Sequence, residues 1–345
     1  MPSANFFPPI RRTADFVSHR DWHIMRSNLG GHSMNRREFS KSMLAGTLGA
    51  TSAFLPRAAT ASPAAASTSR STASKPVPAA VTPFPLSVML WTIYRDLPFD
   101  QRLEKIAEAG YGAVQLVGEF KKWSDADFAA YNRKKRELEI VFDATSGLDR
   151  SLTDPRERDA FLKELDALLI TADKLECPAI IVLSGNRVPS LSHEAQHQSC
   201  VEALQRAADA AAKRNVTILL ENIDPEENPK YFLTSVTEGF EIVGEVNRSN
   251  VKFLYDFFHE QISEGNLIEK LEKNIDKVGL VHVADVPGRH EPGTGEINYA
   301  SIFRKLAALG YKNRAAMEFL PTGDPVASLR AAREYVAAAT ASAPK

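Results

Sequence analysis

From Leu86 onward, short apolar, β-branched runs alternate with amphipathic stretches in a steady rhythm, and few architectures can absorb that pattern. Strands are predicted at Leu86–Tyr94, Ala113–Val117, Glu139–Ala144, Ala179–Ser184, Thr217–Asn222, Val251–Phe257, Val278–Ala284 and Ala315–Phe319. Helical patterns fill the gaps. Gln101 to Ala109 stops at Gly110 and Phe303 to Leu309 stops at Gly310, each glycine suiting the position just past a helix, with Tyr and a strand following. Eight strand–helix units in about 255 residues match an α/β fold of the (β/α)8 TIM-barrel type. A doubly wound open sheet is disfavoured, because Leu90-Trp-Thr-Ile-Tyr-Arg95 stands after the first strand core where a Gly-x-Gly-x-x-Gly turn would be needed.

Four side chains stand at the C-terminal ends of successive runs: Glu221 in Thr217-Ile-Leu-Leu-Glu221, Asp256 in Val251-Lys-Phe-Leu-Tyr-Asp256, His282 in Val278-Gly-Leu-Val-His282, and Glu318 in Arg314-Ala-Ala-Met-Glu318. In a parallel barrel those ends converge on one mouth, so residues far apart in the chain can surround a single ion. A lone carboxylate at a strand end is usually solvated or caps the next helix; four in consecutive units are harder to dismiss. Three carboxylates and one imidazole suit Mn²⁺, Mg²⁺ or Co²⁺ better than a thiolate-seeking metal.

The formal net charge of −1 and the lack of a long basic block in the body exclude a nucleic-acid footprint, and a homo-oligomer is compatible with the composition. Cys177 and Cys200 are too few for a zinc cluster or disulfide scaffold, and a single bridge between them is left open. Residues 1–61 read as an export signal. Asn35-Arg36-Arg37-Glu38-Phe39-Ser40-Lys41 precedes a weakly apolar stretch from Ser42 to Leu55 and the small-residue site Ala59-Thr60-Ala61, and this resembles a twin-arginine leader. The expected partner is the twin-arginine export machinery, the expected location periplasmic or secreted. Met25 or Met34 is an alternative start, and a basic tail without export is the rival reading. Residues 62–85, rich in Ala, Ser and Pro, read as a linker, and 86–340 as the catalytic domain.

Several stretches together are similar to the hydroxypyruvate isomerase family, within the xylose-isomerase-like sugar isomerases and epimerases. They are Leu220-Glu-Asn-Ile-Asp224, Tyr231-Phe-Leu233, Tyr255-Asp-Phe-Phe-His-Glu-Gln-Ile262 and the long run His282-Val-Ala-Asp-Val-Pro-Gly-Arg-His-Glu-Pro-Gly-Thr-Gly-Glu-Ile-Asn-Tyr299. The resemblance implies a divalent ion held by Glu221, Asp256, His282 and Glu318, with Glu221 and Glu318 also carrying protons. His282 stands where typical hydroxypyruvate isomerases have Gln and related ketose 3-epimerases have His. Gln115 stands where the family often has Glu.

The implied reaction moves a proton between the carbons of an α-hydroxy carbonyl compound, a small sugar or keto acid, through an enediolate. A metal on the oxygens stabilises the developing charge, and two flanking carboxylates act as base and acid. His259 could donate to a substrate oxygen or serve only as a rim histidine. Arg289 could grip a carboxylate or hydroxyl, or be a solvated loop residue. Glu227 aligns with an acidic substrate contact of the epimerases, or faces solvent. Trp91 and Phe257 could wall the pocket or belong to the core; Lys121-Lys122-Trp123 reads as a solvated run. Gly293-Thr-Gly295 lacks the lysine of a phosphate loop.

Hydroxypyruvate to tartronate semialdehyde is the leading reaction. A ketose or oxidised-sugar epimerase is the nearest rival, favoured slightly by His282 and by export away from intracellular hydroxypyruvate. A carbohydrate-binding protein without turnover would have no need of both Glu221 and Glu318, and a metal-dependent endonuclease would bring more histidines and a basic groove.

Overall fold

A computed structural model describes residues 81–341, and the export signal and most of the linker lie outside them. Eight parallel strands close into a barrel in chain order: β1 Leu86–Met89, β2 Ala113–Val117, β3 Val141–Ser146, β4 Ala179–Leu183, β5 Thr217–Glu221, β6 Val251–Asp256, β7 Val278–Val283 and β8 Arg314–Met317. β1 pairs with β8 through Leu86 and Ala315, which closes the ring. The expected barrel is therefore the observed one.

The helices around it are α1 Phe99–Glu108, α2 Asp125–Glu137, α3 Arg158–Leu175, α4 His193–Ala212, α5 Val236–Val246, α6 Phe257–Ser263, α7 Leu267–Asn274, α8 Tyr299–Ala308 and α9 Pro325–Thr340. Their apolar faces cover the strands. In α1, Phe99, Arg102, Leu103 and Ile106 are buried, the spacing of one helical face. Both predicted glycine stops are realised as Schellman motifs. Tyr111 N donates to Ile106 O and Gly110 N to Ala107 O, and Tyr311 and Gly310 repeat the arrangement on Leu306 and Ala307. Gly110 and Gly310 carry the positive φ that the motif requires, +85° and +67°.

Packing begins ahead of β1. Phe84 is buried, with its ring edge-on to Tyr311 at 5.9 Å, and Pro85 O accepts from Ala315 N. Cys177 and Cys200 are buried free thiols, so the bridge left open above is not formed; burial pushes the Cys177 thiol up to about 12.

The predicted first strand is too long. β1 ends at Met89, and Leu90–Thr92 form a 3₁₀ turn before Tyr94 at φ +53°. The apolar run continues, yet the backbone turns, and this places Trp91 over the barrel mouth instead of within a strand.

Inside the barrel the two-residue period of a strand does the positioning. Leu219, Leu254, Leu280 and Ala316 share one interior apolar layer with Met89, Ala144, Ala179 and Ile181. Two residues further along β5, β6, β7 and β8 come Glu221, Asp256, His282 and Glu318. The four polar residues thus stand next to this apolar layer, all facing inward.

Candidate metal and substrate site

Glu221, Asp256, His282 and Glu318 are each at most 3% exposed, and each offers one ligand atom within 4.8 Å of the others. His282 Nδ1 lies 2.6 Å from Glu318 Oε2, 3.5 Å from Glu221 Oε1 and 3.9 Å from Asp256 Oδ2. Asp256 also caps α6. Its Oδ1 accepts from Phe258 N at 2.8 Å, which leaves Oδ2 for the site.

This donor set fits a divalent cation on two observations. Glu221 Oε1 and His282 Nδ1 are buried and make no well-formed hydrogen bond, Nδ1 meeting the carboxylates only as ion-pair contacts, a costly arrangement that a bound cation would relieve. Three buried carboxylates also repel one another. Burial raises the Asp256 carboxyl, and Glu318 adds to the rise against the pull of His259 and Arg289. Burial depresses the His282 imidazolium, but Glu318 and Glu221 outweigh it and carry its pKa up to about 10. Oxygen donors with a single imidazole are the chemistry of Mn²⁺, Mg²⁺ or Co²⁺.

Arg289, in the loop after β7, is buried with its guanidinium across the mouth. Nη2 donates to Glu318 Oε2 at 2.7 Å and Asp256 Oδ2 at 3.2 Å; Nη1 donates to Glu227 Oε2 at 2.9 Å. The guanidinium lies 4.8 Å from the Phe258 ring centre and 5.4 Å from that of Trp91. Arg289 is thus buried against the candidate ligands and not solvated. Glu227 is at the exposed rim, paired to it.

His259 is fully buried, which removes the rim reading. Its Nδ1 lies 2.6 Å from Asp224 Oδ2, and its Nε2 lies 3.4 Å from Asp256 Oδ2 and 3.8 Å from Glu227 Oε2. Asp224 Oδ1 accepts from Glu226 N and Glu227 N, both at 2.8 Å, so one buried carboxylate fixes both His259 and the loop bearing Glu227. The sequence reading quoted Asp224 within a motif but missed this role. Its position three residues after a strand-end ligand, at the head of an acidic turn, is the only local sign of it.

The two aromatic candidates part company. Trp91 Nε1 donates to Glu318 Oε1, so the indole is a hydrogen-bond partner of a candidate ligand. Phe257 is core, 4.7 Å from the Tyr255 ring and 6.2 Å from Tyr299. Phe258 takes the place over Arg289, because the strand period ends at Asp256 and the helical period starts there. Lys121 and Lys122 are exposed as expected, while Trp123 packs on Phe99 and Tyr131 with ring centres 4.6 Å apart in each pair.

The glycine-rich stretch belongs to the loop that carries Arg289. Asp285 accepts from Val286 N, Gly293 N and Ile297 N at 2.8–3.0 Å. Tyr299 Oη donates to Ala284 O at 2.7 Å. Gly288, Arg289 and Gly293 all adopt positive φ. The loop is knitted from within by these hydrogen bonds.

A closed parallel barrel with this inward ligand layer is a xylose isomerase-like TIM barrel, and the profile of that family matches residues 103–339; the chain belongs to it. It is an enzyme of the isomerase class that its relatives represent. It is 32% identical to 2-oxo-tetronate isomerase of Haemophilus influenzae over 257 residues, 71% of this chain and 97% of that one. Hydroxypyruvate isomerase of Escherichia coli is 28% identical over 250 residues, covering 71% and 96%. Among solved structures, one from Brucella melitensis described as an AP endonuclease of family 2 superposes with a TM-score of 0.66 at 28% identity, covering 71% and 97%.

Proposed function

We propose that this chain is a divalent-metal-dependent isomerase of short 2-oxo acids, of the hydroxypyruvate or 2-oxo-tetronate type. The observation that carries the reading is the pair Glu221 and Glu318, buried on strands that β6 and β7 separate, with His282 Nδ1 within 3.5 Å of both. For hydroxypyruvate, a proton leaves C3, an enediolate spans C2 and C3, the hydroxyl proton passes from O3 to O2, and a proton returns to C2, giving tartronate semialdehyde. The relatives' substrates, and the buried positive charge of Arg289 at the mouth, favour an oxo acid over a neutral ketose.

Glu221, Asp256, His282 and Glu318 hold the metal in this reading, and the metal supplies Lewis-acid stabilisation of charge on the substrate oxygens. Glu221, whose Oε1 accepts no hydrogen bond, is the carrier on one side. Glu318, bonded by Trp91 and Arg289, is the carrier on the other side. His259, anchored by Asp224, presents Nε2 to the substrate region beside Asp256. Glu227 and Arg289 orient the substrate at the rim, and Trp91 and Phe258 exclude water around the guanidinium.

The test is proton NMR in deuterated buffer with Mg²⁺, offering hydroxypyruvate, 2-oxo-tetronate and a panel of ketoses. Metal-dependent deuterium uptake beside the carbonyl of an oxo acid, abolished by EDTA, is the expected result. Exchange confined to ketoses would move the assignment to an epimerase, and no exchange by metal-loaded protein would end the enediolate reading.

Export through the twin-arginine route is part of the same proposal, resting on Arg36, Arg37 and the apolar and small-residue segments after them. It suits a protein that folds around a metal before crossing a membrane. A reporter fused behind residues 1–85 should lose periplasmic delivery on Arg36→Lys with Arg37→Lys; unchanged delivery would contradict the route.

A further inference from the structure

Gln115 in β2 is fully buried, and its amide connects the ligand set to polar residues deeper in the barrel. One end lies 2.8 Å from His282 Nε2. The other lies 3.4 Å from Asp143 Oδ2 and 3.4 Å from Ser87 Oγ. Asp143 is itself buried, with Arg314 Nε at 3.7 Å from Oδ2. A polar line therefore runs from Arg314, the first residue of β8, through Asp143 and Gln115 to His282 near the end of β7.

We propose that Gln115, oriented by Asp143 and Ser87, is a positioning residue that holds the Nε2–H of His282, so that when a cation takes the place of the Nδ1 proton the ring is left as the Nε2–H tautomer with its Nδ1 lone pair on the side of Glu221, Asp256 and Glu318. This rests on the metal-dependent reading above.

The two ends of an amide have nearly the same shape, so the network decides which faces which way. A carboxylate oxygen only accepts. The end beside Asp143 Oδ2 must therefore be the NH₂, and the carbonyl Oε1 faces His282. An acceptor there requires a proton on Nε2, and a neutral imidazole then carries its lone pair on Nδ1. Turning the amide over would set its carbonyl against the Asp143 carboxylate and its NH₂ against Nε2. The imidazole proton would move to Nδ1 and point at the ligand carboxylates, where it could no longer bind a cation.

Burial pushes the Asp143 carboxyl up, opposed by Arg314, whose Nε 3.7 Å from Oδ2 favours the charged form that anchors the amide NH₂. The partner of the second ring nitrogen commonly governs ligand basicity and orientation in metal sites. Here that partner is an amide, held in turn by a charge.

The first measurement uses the wild-type chain, labelled with ¹⁵N-histidine and loaded with Mg²⁺. His282 is expected to show a protonated, exchange-protected Nε2 and an unprotonated Nδ1; the reverse pattern overturns the proposal. The second is Co²⁺ titration followed by absorbance. Gln115→Leu should weaken binding roughly ten- to a hundredfold, the usual cost of losing such a partner. Gln115→Glu, which keeps an acceptor, should bind close to wild type, and Asp143→Leu should fall between them. Wild-type affinity in folded Gln115→Leu overturns the proposal. Should that variant fail to fold, the wild-type spectrum alone decides. If neither ion perturbs any histidine of the wild type, the metal reading itself is wrong and the proposal falls with it, a result distinct from a bound metal with the opposite tautomer.

Discussion

Glu221→Gln and Glu318→Gln are each expected to lower kcat by roughly 10²- to 10⁴-fold at saturating metal, the usual contribution of a positioned acid or base. Glutamine keeps the shape and one acceptor oxygen but cannot carry the proton. The fold should persist, because each change removes one of several buried negative charges that repel one another, and thermal unfolding should not move downward. In Glu318→Gln, Arg289 keeps Asp256 and Glu227 as partners. Since both residues also belong to the ligand set, turnover must be measured across a metal titration. Loss that excess metal restores would make the residue a ligand alone, and full turnover by either variant would remove it from the proton path.

The two variants should also differ. Glu318 is held by Trp91 and Arg289, whereas Glu221 Oε1 has no hydrogen-bond partner. Removing the unbonded acceptor should suppress deuterium uptake by the substrate. Removing the bonded carrier should permit some uptake while blocking product. Equal loss of exchange and turnover in both variants would merge the two roles.

The convergence of these four residues on one mouth was legible in the sequence for a physical reason. Parallel barrel strands share one direction and one period, so a polar residue at the end of each apolar run points to the same mouth, and reading β5 to β8 in order suffices to assemble Glu221, Asp256, His282 and Glu318. The helix stops at Gly110 and Gly310 were legible because positive φ selects glycine.

What escaped depends on contacts between distant segments. Trp91 reaches Glu318 because the backbone leaves β1 after Met89, although the apolar run continues to Leu90. Phe258, and not Phe257, faces Arg289 because Asp256 ends a strand and caps a helix at the same residue. Gln115 stood out only as a departure from a family pattern; that it meets His282 follows from β2 and β7 sharing the barrel interior, which no local pattern encodes. Asp224 and Asp285 look like ordinary loop acids until the backbone N–H groups they hold are counted in the fold.

Gly295→Ala is expected to damage stability and activity together. A Cβ built there would lie 2.1 Å from Val286 O and 2.6 Å from Asp285 Oδ1, and the first of these is backbone that cannot rotate away. Relief requires Val286 or the 293–297 turn to move, which disturbs the Asp285 bonds to Gly293 N and Ile297 N. Overpacking of this kind costs about 3 kcal/mol, which for a domain of this size lowers Tm by on the order of 10 °C.

The same loop carries Arg289, whose Nε donates to Glu318 O and whose Nη2 joins Glu318 and Asp256. A shift of about 1 Å in the guanidinium should lower kcat/KM by roughly 10²-fold even in the folded fraction. Gly323→Ala supplies the control, since an added methyl there meets nothing within 4 Å and should leave both quantities unchanged. Wild-type melting and kcat/KM in Gly295→Ala would show that the loop can yield without moving Arg289, and the close packing from His282 to Tyr299 would then have no part in holding the guanidinium over the site.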